Sequence, residues 1–489
     1  MRWSAPRGAR LASFFLLATA LLAPFARSAG EVRENFLLSP AELGARSPDD
    51  LSRAQALDDF AAFERLIREA YGGYDHFRVK GTDWDALFRE SRRRIRDRKT
   101  WTLTAYFELL NEFIRGAGVS DGHLWLTARS PTLSLRGYPG LKRWTARFAD
   151  VYVQKSKGRF LVFPRSSPRA ARRELLGVEG RSPGEFLFPT YDPDVEGQLF
   201  LLGSFGERPM SELSCRFADG AAERLPLHPQ RMTFSIENRP AFEFEIKDRI
   251  PLVSLRSLQP SHETDLARFA ETADRLKDAR AAVLDLRGCD GGNDGYGVRW
   301  VQTLSSGTVH TRITKRSRVS AVASAGEINE WLKILSETSD PEGRRHIEGY
   351  IEEAKARLRH IESTGMPPGW KTETFDLPGG SSTPFSGALI ILSDRANGSA
   401  CEGLMKVALS LSSAVVMGEN SYGVSTFAPV NLYRLPNSKI DIQIGEAVST
   451  FRGDISEGKG IAPDLWIDEP DPLPAALSYA RGLLEKDRR

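Results

Sequence analysis

The sequence predicts an α/β core on a mainly parallel sheet, preceded by a helical domain and a small β-rich subdomain. Three observations predict this. From residue 248 onward, short apolar runs alternate with helical spacing: Leu252-Val253-Ser254-Leu255, Ala281-Ala282-Val283-Leu284-Asp285-Leu286 and Ala388-Leu389-Ile390-Ile391-Leu392 are followed by stretches with an amphipathic period. Residues 50–114 carry three successive helical patterns. Between about 136 and 247 the chain turns to short strand-like runs punctuated by glycine and proline.

Taken in order, residues 1–28 have the form of a secretory signal: Arg2, Arg7 and Arg10, an apolar run from Leu11 to Phe25, then Ala26-Arg27-Ser28. Cleavage after Ser28 is expected, with an uncleaved N-terminal anchor as the alternative, and the destination is the periplasm or the exterior. At 489 residues and 41% apolar content the chain can bury large cores. Loss of residues 1–28 removes four arginines and no acid, taking the formal charge from +3 to −1. Such a balance gives no global field for nucleic acid or anionic lipid. Three cysteines far apart (Cys215, Cys289, Cys401) predict no disulfide framework, with Cys289 and Cys401 expected as small packed residues. Seven histidines without HxH or HExxH spacing predict no metal site, and no cofactor is implied.

Residues 29–135 are expected to form the N-terminal helical domain. Ser47-Pro48-Asp49-Asp50 predicts the start of a first helix reaching about Ala70, Asp83-Trp84 opens a second, and a third covers 104–114. After Gly116-Ala117-Gly118 comes Val119-Ser120-Asp121-Gly122-His123, which places His123 on a loop or strand start. A single histidine there is more often structural than chemical. In the β-rich subdomain, 136–247, Leu176-Gly177-Val178-Glu179-Gly180-Arg181-Ser182 resembles the strand and turn of a PDZ-type module. A packing insert without a peptide groove is the other reading.

The core, 248–470, has Arg287-Gly288-Cys289-Asp290-Gly291-Gly292 at a strand end, where parallel sheets place their sites. It lacks GxGxxG and GK[ST], so neither a dinucleotide fingerprint nor a Walker loop is present. Residues 320–372 read as a charged helical insertion, a lid or side lobe, and 471–489 as a closing helix. Asn397-Gly398-Ser399-Ala400-Cys401-Glu402 joins a buried strand to a helix with Leu404, Val407, Ala408 and Leu411 on one face. Ser399 at that turn faces the positive end of the helix and its free N–H groups, a place for a nucleophile or simply for an N-cap.

Four segments in order, Asp121-Gly122-His123, Asp285-Leu286-Arg287 leading to Gly291-Gly292, Ser399-Ala400-Cys401-Glu402 and Glu457-Gly458-Lys459-Gly460-Ile461-Ala462-Pro463-Asp464, resemble the C-terminal processing (tail-specific) protease family, and within it the tricorn-type branch. The resemblance implies a ClpP/crotonase-like core and a serine peptidase acting on a peptide or protein, its C-terminus included. It further implies Ser399 as nucleophile, His123 as base, Glu457 as the carboxylate orienting the base, and Ala400 with Gly291 or Gly292 as oxyanion donors. The better-known bacterial branch uses a lysine where Val424 stands here, so a Ser–Lys dyad is excluded. The tricorn-type branch can place a serine before the histidine, and here Gly122 takes that position. Glu457 is therefore left to reach His123 directly, through a water, or through another hydroxyl such as Ser120. Two alternatives remain at this point: an inactive ligand- or peptide-binding member of the same fold, and an esterase or amidase using the same residues. Oligomeric state has no signature in the sequence.

Overall fold

The computed structural model describes residues 36–137, 140–232, 239–305, 307–338, 341–378, 384–411 and 413–486, so the signal segment at 1–28 lies outside the described residues. At the centre is a six-stranded sheet of β1 (Phe242–Lys247), β2 (Ile250–Leu255), β3 (Ala281–Asp285), β4 (Ala388–Ser393), β5 (Ala414–Gly418) and β6 (Leu465–Trp466), in that spatial order. All neighbours are parallel except β1 and β2. Every residue of β2 and β3 is buried, as expected for strands covered on both faces. The two-residue period of a strand sorts their side chains. Val253, Leu255, Ala282, Leu284, Leu389 and Ile391 pack with α1 (Glu263–Leu276), α2 (Gly295–Leu304) and α3 (Ala400–Ala408). Leu252, Val283, Ile390, Leu392 and Met417 turn to the opposite face, where α4 (Leu473–Lys486) lies.

The expected boundary near 247 is displaced by one strand. Residues 242–247 pair with β2 across a tight turn at Asp248 and Arg249, whose φ values of +52° and +68° suit a two-residue hairpin. The β-rich region itself is an antiparallel eight-stranded sheet drawn from 145–229. It docks on the core through Trp466, whose indole is ringed by Phe148, Phe188 and Phe205. A PDZ module is not identified by this sheet order.

In the N-terminal domain the first long helix is Arg53–Glu69, not a helix from Ser47. Residues 50–52 pair as a strand with 100–102, and Ser52 supplies the cap with Gln55 in a reciprocal capping box. The other expected helices are Trp84–Arg96, capped by Asp83, and Leu103–Gly116, capped by Thr102; a short helix at Gly73–Val79 lacks an apolar period and was not legible. Phe60, Phe63, Phe88 and Phe113 make its aromatic centre. The helical insertion, Ala321–Glu337 and Pro341–Thr364, is a side lobe: Asn329 donates to Phe36 O and Leu432 O, tying it to the N-terminal domain.

One pairing decides where the histidine segment goes. The strand Trp125–Arg129 joins Asp441–Gly445, which is hairpin partner to Val430–Arg434. The chain around residue 123 is thus hydrogen-bonded into the far end of the core segment. On the other side of the cleft, buried Arg256 bonds Asp285 Oδ2 (2.6 Å), Asp285 O and Arg287 O (both 2.8 Å), and Arg287 bonds both Asp285 oxygens. Burial opposes the charge of Asp285, but the bonds from Arg287 and Arg256 outweigh it and hold its carboxyl below the ordinary value. This network pins the start of the loop carrying Gly291. Breaking a buried ion pair from one side costs about 3–5 kcal/mol. Arg256→Met should therefore lower the core unfolding transition in calorimetry by several degrees; an unchanged midpoint would show that the network does not support the loop.

Candidate active site

The turn after β4 is held tightly. Asp394 Oδ1 accepts from Gly288 N, Ala396 N and Asn397 N, each at 3.0 Å. Gly398 N donates to Cys289 O at 3.0 Å. Ser399 stands at the N-cap position of α3 but with φ +53° and ψ −121°, and its side chain makes no capping bond. A non-glycine residue held in that region is strained by about 1–3 kcal/mol, a cost usually met at functional sites. The N-cap alternative is set aside by this geometry, because the hydroxyl points elsewhere.

It points to His123. Ser399 Oγ and His123 Nε2 are 3.2 Å apart, across 276 positions of sequence. His123 Nδ1 lies 2.8 Å from the carbonyl oxygen of Phe427. A carbonyl only accepts, so Nδ1 carries the proton and Nε2 presents its lone pair to the serine hydroxyl. Both side chains are partly exposed at the mouth of the cleft.

Glu457 does not occupy the place at Nδ1. Its Oε1 accepts from Gly122 N (2.8 Å) and its Oε2 from Thr426 N (3.2 Å). It clasps the residue before His123 and the residue before Phe427, so it sets the imidazole and its carbonyl partner through the backbone. Ser120 Oγ is turned away and accepts from Lys142 N at 3.0 Å. Two sequence departures now fit each other. A Cβ on Gly122 would come 2.2 Å from Val424 Cγ1, so the valine in the lysine position leaves no room for a serine before the histidine.

Behind the imidazole lies a buried acidic group. Asp121 Oδ1 accepts from His123 N (2.7 Å) and Oδ2 from the Tyr71 hydroxyl (2.8 Å). Burial pushes the Asp121 carboxyl up to about 7. Burial and then the charge of Asp121 raise Glu457 well above the carboxylate range. Glu402 is fully buried and accepts from Gly423 N (2.9 Å), Val424 N (2.8 Å) and the Ser421 hydroxyl, which locks the loop beside Ser399. Lys406, one face of α3 further along, sets its buried ammonium on Ser425 Oγ at 2.8 Å. Burial lowers its pKa, while the charges of Glu402 and Glu457 act to raise it.

Gly291 faces Ser399: a Cβ there would stand 2.9 Å from Ser399 Cβ. Its φ of +103° and that of Gly292, +131°, require glycine. Gly292 is packed instead on the Leu258 backbone, with which it forms a parallel bridge. Ala400 begins α3, where N–H groups have no partner within the helix. Ala400 and Gly291 thus flank Ser399 from two elements. The expectation of unpaired cysteines is corrected: Cys289 and Cys401 form a disulfide, while Cys215 is free and buried in the β-rich sheet. With the partners 112 positions apart, spacing carried no sign of it. The Phe427 carbonyl and Tyr71 were also missed. A backbone acceptor leaves no mark in composition, and Tyr71 lies in a glycine-flanked turn. No cluster of metal-binding side chains occurs among the described residues.

Burial holds the His123 imidazole below its ordinary value, with the bond to Phe427 and the charge of Glu402 pulling the other way. Its neutral, proton-accepting form therefore persists to lower pH than in water. The acid limb of kcat/KM should have its midpoint below about 6.5. A midpoint above 7 would show that the imidazole is not the titrating base or is not desolvated.

Residues 249–467 match the family model described as Peptidase family S41. No curated protein matches the chain significantly in sequence. Among solved structures, the chain is similar to mature CPAF (14% identity, 89% of this chain and 96% of that one, TM-score 0.46). It is also similar to the photosystem II D1 C-terminal processing protease (14% identity, 88% and 97%, TM-score 0.41) and to the tricorn protease (9% identity, 88% and 37%, TM-score 0.37). The matched segment runs from β2 to β6 and so takes in the core sheet with Ser399 and Glu457.

Proposed function

We propose that the chain is a periplasmic or secreted peptidase that cleaves peptide bonds through an acyl-enzyme on Ser399, with His123 as base. The observation that carries the reading is the Ser399 Oγ to His123 Nε2 distance of 3.2 Å with Nδ1 held by Phe427 O. A proton acceptor in hydrogen-bond reach of a hydroxyl, in the tautomer that can accept, is the arrangement nucleophilic catalysis needs.

Ser399 Oγ attacks the carbonyl carbon of the scissile bond as its proton moves to His123 Nε2. The oxyanion takes the N–H groups of Ala400 and Gly291. As the tetrahedral adduct collapses, Nε2–H gives its proton to the leaving amine, and water later attacks the ester with the same imidazole as base. Phe427 O orients the ring without contributing a full negative charge. Glu457 is a positioning residue that fixes both His123 and that carbonyl. The secretory form of residues 1–28 supports the location, and the resemblance to tail-specific proteases extends the substrate to the C-terminal segment of a protein.

Ser399→Ala or His123→Ala should lower kcat on an unstructured peptide by roughly 10⁴- to 10⁶-fold, and the double variant should be little worse. A fluorophosphonate should label wild type at Ser399 and neither variant. Full activity in Ser399→Ala would refute the mechanism, and silence of the wild type toward both peptide and probe would favour the binding-protein reading.

Glu457→Ala removes two backbone bonds behind the ring. The expected effect is a fall in kcat of about 10²-fold, corresponding to roughly 1–1.5 kcal/mol for each bond, with KM little changed. A loss equal to that of His123→Ala would mean that Glu457 acts on the proton itself.

A further inference from the structure

We propose that the Cys289–Cys401 disulfide is a positioning brace for the oxyanion hole, and that its reduction lowers turnover without dismantling the Ser399–His123 pair. The inference rests on Ser399 being the nucleophile.

The two half-cystines lie on the two elements that supply the oxyanion donors. Cys401 follows Ala400 directly, and Cys289 precedes Gly291 by two residues. Their Cα atoms are 6.0 Å apart and both residues are fully buried, under the same helical layer as Leu404 and Trp300. The bridge thus joins the loop after β3 to the first turn of α3 at one residue from one donor and two from the other.

The loop has reason to need it. Gly288, Gly291 and Gly292 all have positive φ, at +71°, +103° and +131°. Glycine adopts such angles freely and leaves them as freely, because no side chain restricts it. Around this stretch Gly291 O accepts from Leu258 N (2.8 Å) and Asn293 N donates to Leu258 O (2.9 Å). These bonds fix the loop to the strand-end at 258, which is not the element carrying Ser399. Towards the Ser399 turn and α3 the ties are the Gly288 N bond to Asp394 Oδ1, the Cys289 O bond from Gly398 N and the disulfide, and of these the disulfide alone is covalent. An oxyanion donor must be placed within tenths of an ångström, and losing one typically costs 10²–10³ in kcat. A covalent tie between the two donors' elements secures that placement.

Reduction by a dithiol is balanced within the exchange itself. One thiolate of the reagent attacks a bridge sulfur, the other closes the reagent's own disulfide, and Cys289 and Cys401 leave as two thiols having gained two electrons and two protons. The His123 Nδ1 bond to Phe427 and the Glu457 clasp lie on other segments and are untouched.

The test uses the full chain in three forms: oxidised wild type, wild type reduced with dithiothreitol, and Cys289→Ala/Cys401→Ala. Intact mass after alkylation reports the bridge directly. Oxidised wild type should carry one alkylated cysteine, Cys215, and the reduced form three; three in the untreated protein would overturn the proposal. Relative to oxidised wild type, the double variant and the reduced protein should show kcat lowered by about 10- to 100-fold. The affinity for a peptide boronate, which places an oxygen in the oxyanion hole, should weaken by a similar factor while KM changes less than about threefold. Cys215→Ala should leave all three quantities unchanged.

Amide exchange at Gly291, Gly292 and Ala400, read independently of activity, should quicken at least about tenfold once the bridge is open. Unchanged exchange or unchanged kcat per folded molecule in both bridge-free forms would overturn the brace. A fall in kcat matched only by the unfolded fraction would do the same. If oxidised wild type fails to react with a fluorophosphonate at Ser399, the nucleophile reading falls, and the exchange experiment still decides whether the bridge holds the loop.

Discussion

The site depends on a hydrogen bond to a backbone carbonyl. Phe427 O, 2.8 Å from His123 Nδ1, decides which imidazole nitrogen carries the proton and so which one can take another. A carboxylate in that place would orient the ring and stabilise its cation at once. A carbonyl orients it and leaves the cation to be stabilised by what lies around it. Behind the ring, Asp121, Glu457 and Glu402 each accept from backbone N–H groups, and Lys406 donates to Ser425 Oγ.

The same constraint accounts for the topology around the cleft. The histidine turn and the Phe427 carbonyl are 304 positions apart, and holding them within bonding distance requires that their strands share a sheet. They do: 125–129 pairs with 441–445, and 430–434 follows from Phe427 itself. Glu457 then fastens the two turns at their backbone N–H groups. On the opposite wall the parallel core sheet sets out the Ser399 turn and the glycine loop at adjacent strand ends, β4 and β3, as the crevice rule for such sheets expects. Strained Ser399 and glycine at 291 meet in one close approach, where a side chain at 291 would crowd Ser399.

What could be read from residue order was whatever carries a local pattern. The parallel core was legible because β2, β3 and β4 are largely apolar runs followed by helical spacing, while Ser399, His123 and Glu457 were singled out by the order of four segments, none of them decisive alone. The helix start at Ser52 was missed because Ser47-Pro48-Asp49-Asp50 carries the stronger cap signal; what places Asp50–Ser52 in a strand is a partner at 100–102, half a domain away. How Glu457 reaches His123 stayed open in the sequence, because residue order names side chains and not the N–H groups of Gly122 and Thr426 that it bonds. The disulfide escaped for the same reason. Distance along the chain says nothing about two residues that the sheet brings to 6.0 Å.

The central claim is that the resting imidazole is neutral, protonated on Nδ1 and open at Nε2. Nitrogen NMR of protein labelled at its seven histidines, with the His123 signals assigned by their loss in His123→Gln, measures this directly. At pH 7.5 the account predicts a protonated, hydrogen-bonded Nδ1 and an unprotonated Nε2. A proton resident on Nε2, or a doubly protonated ring at that pH, would contradict it.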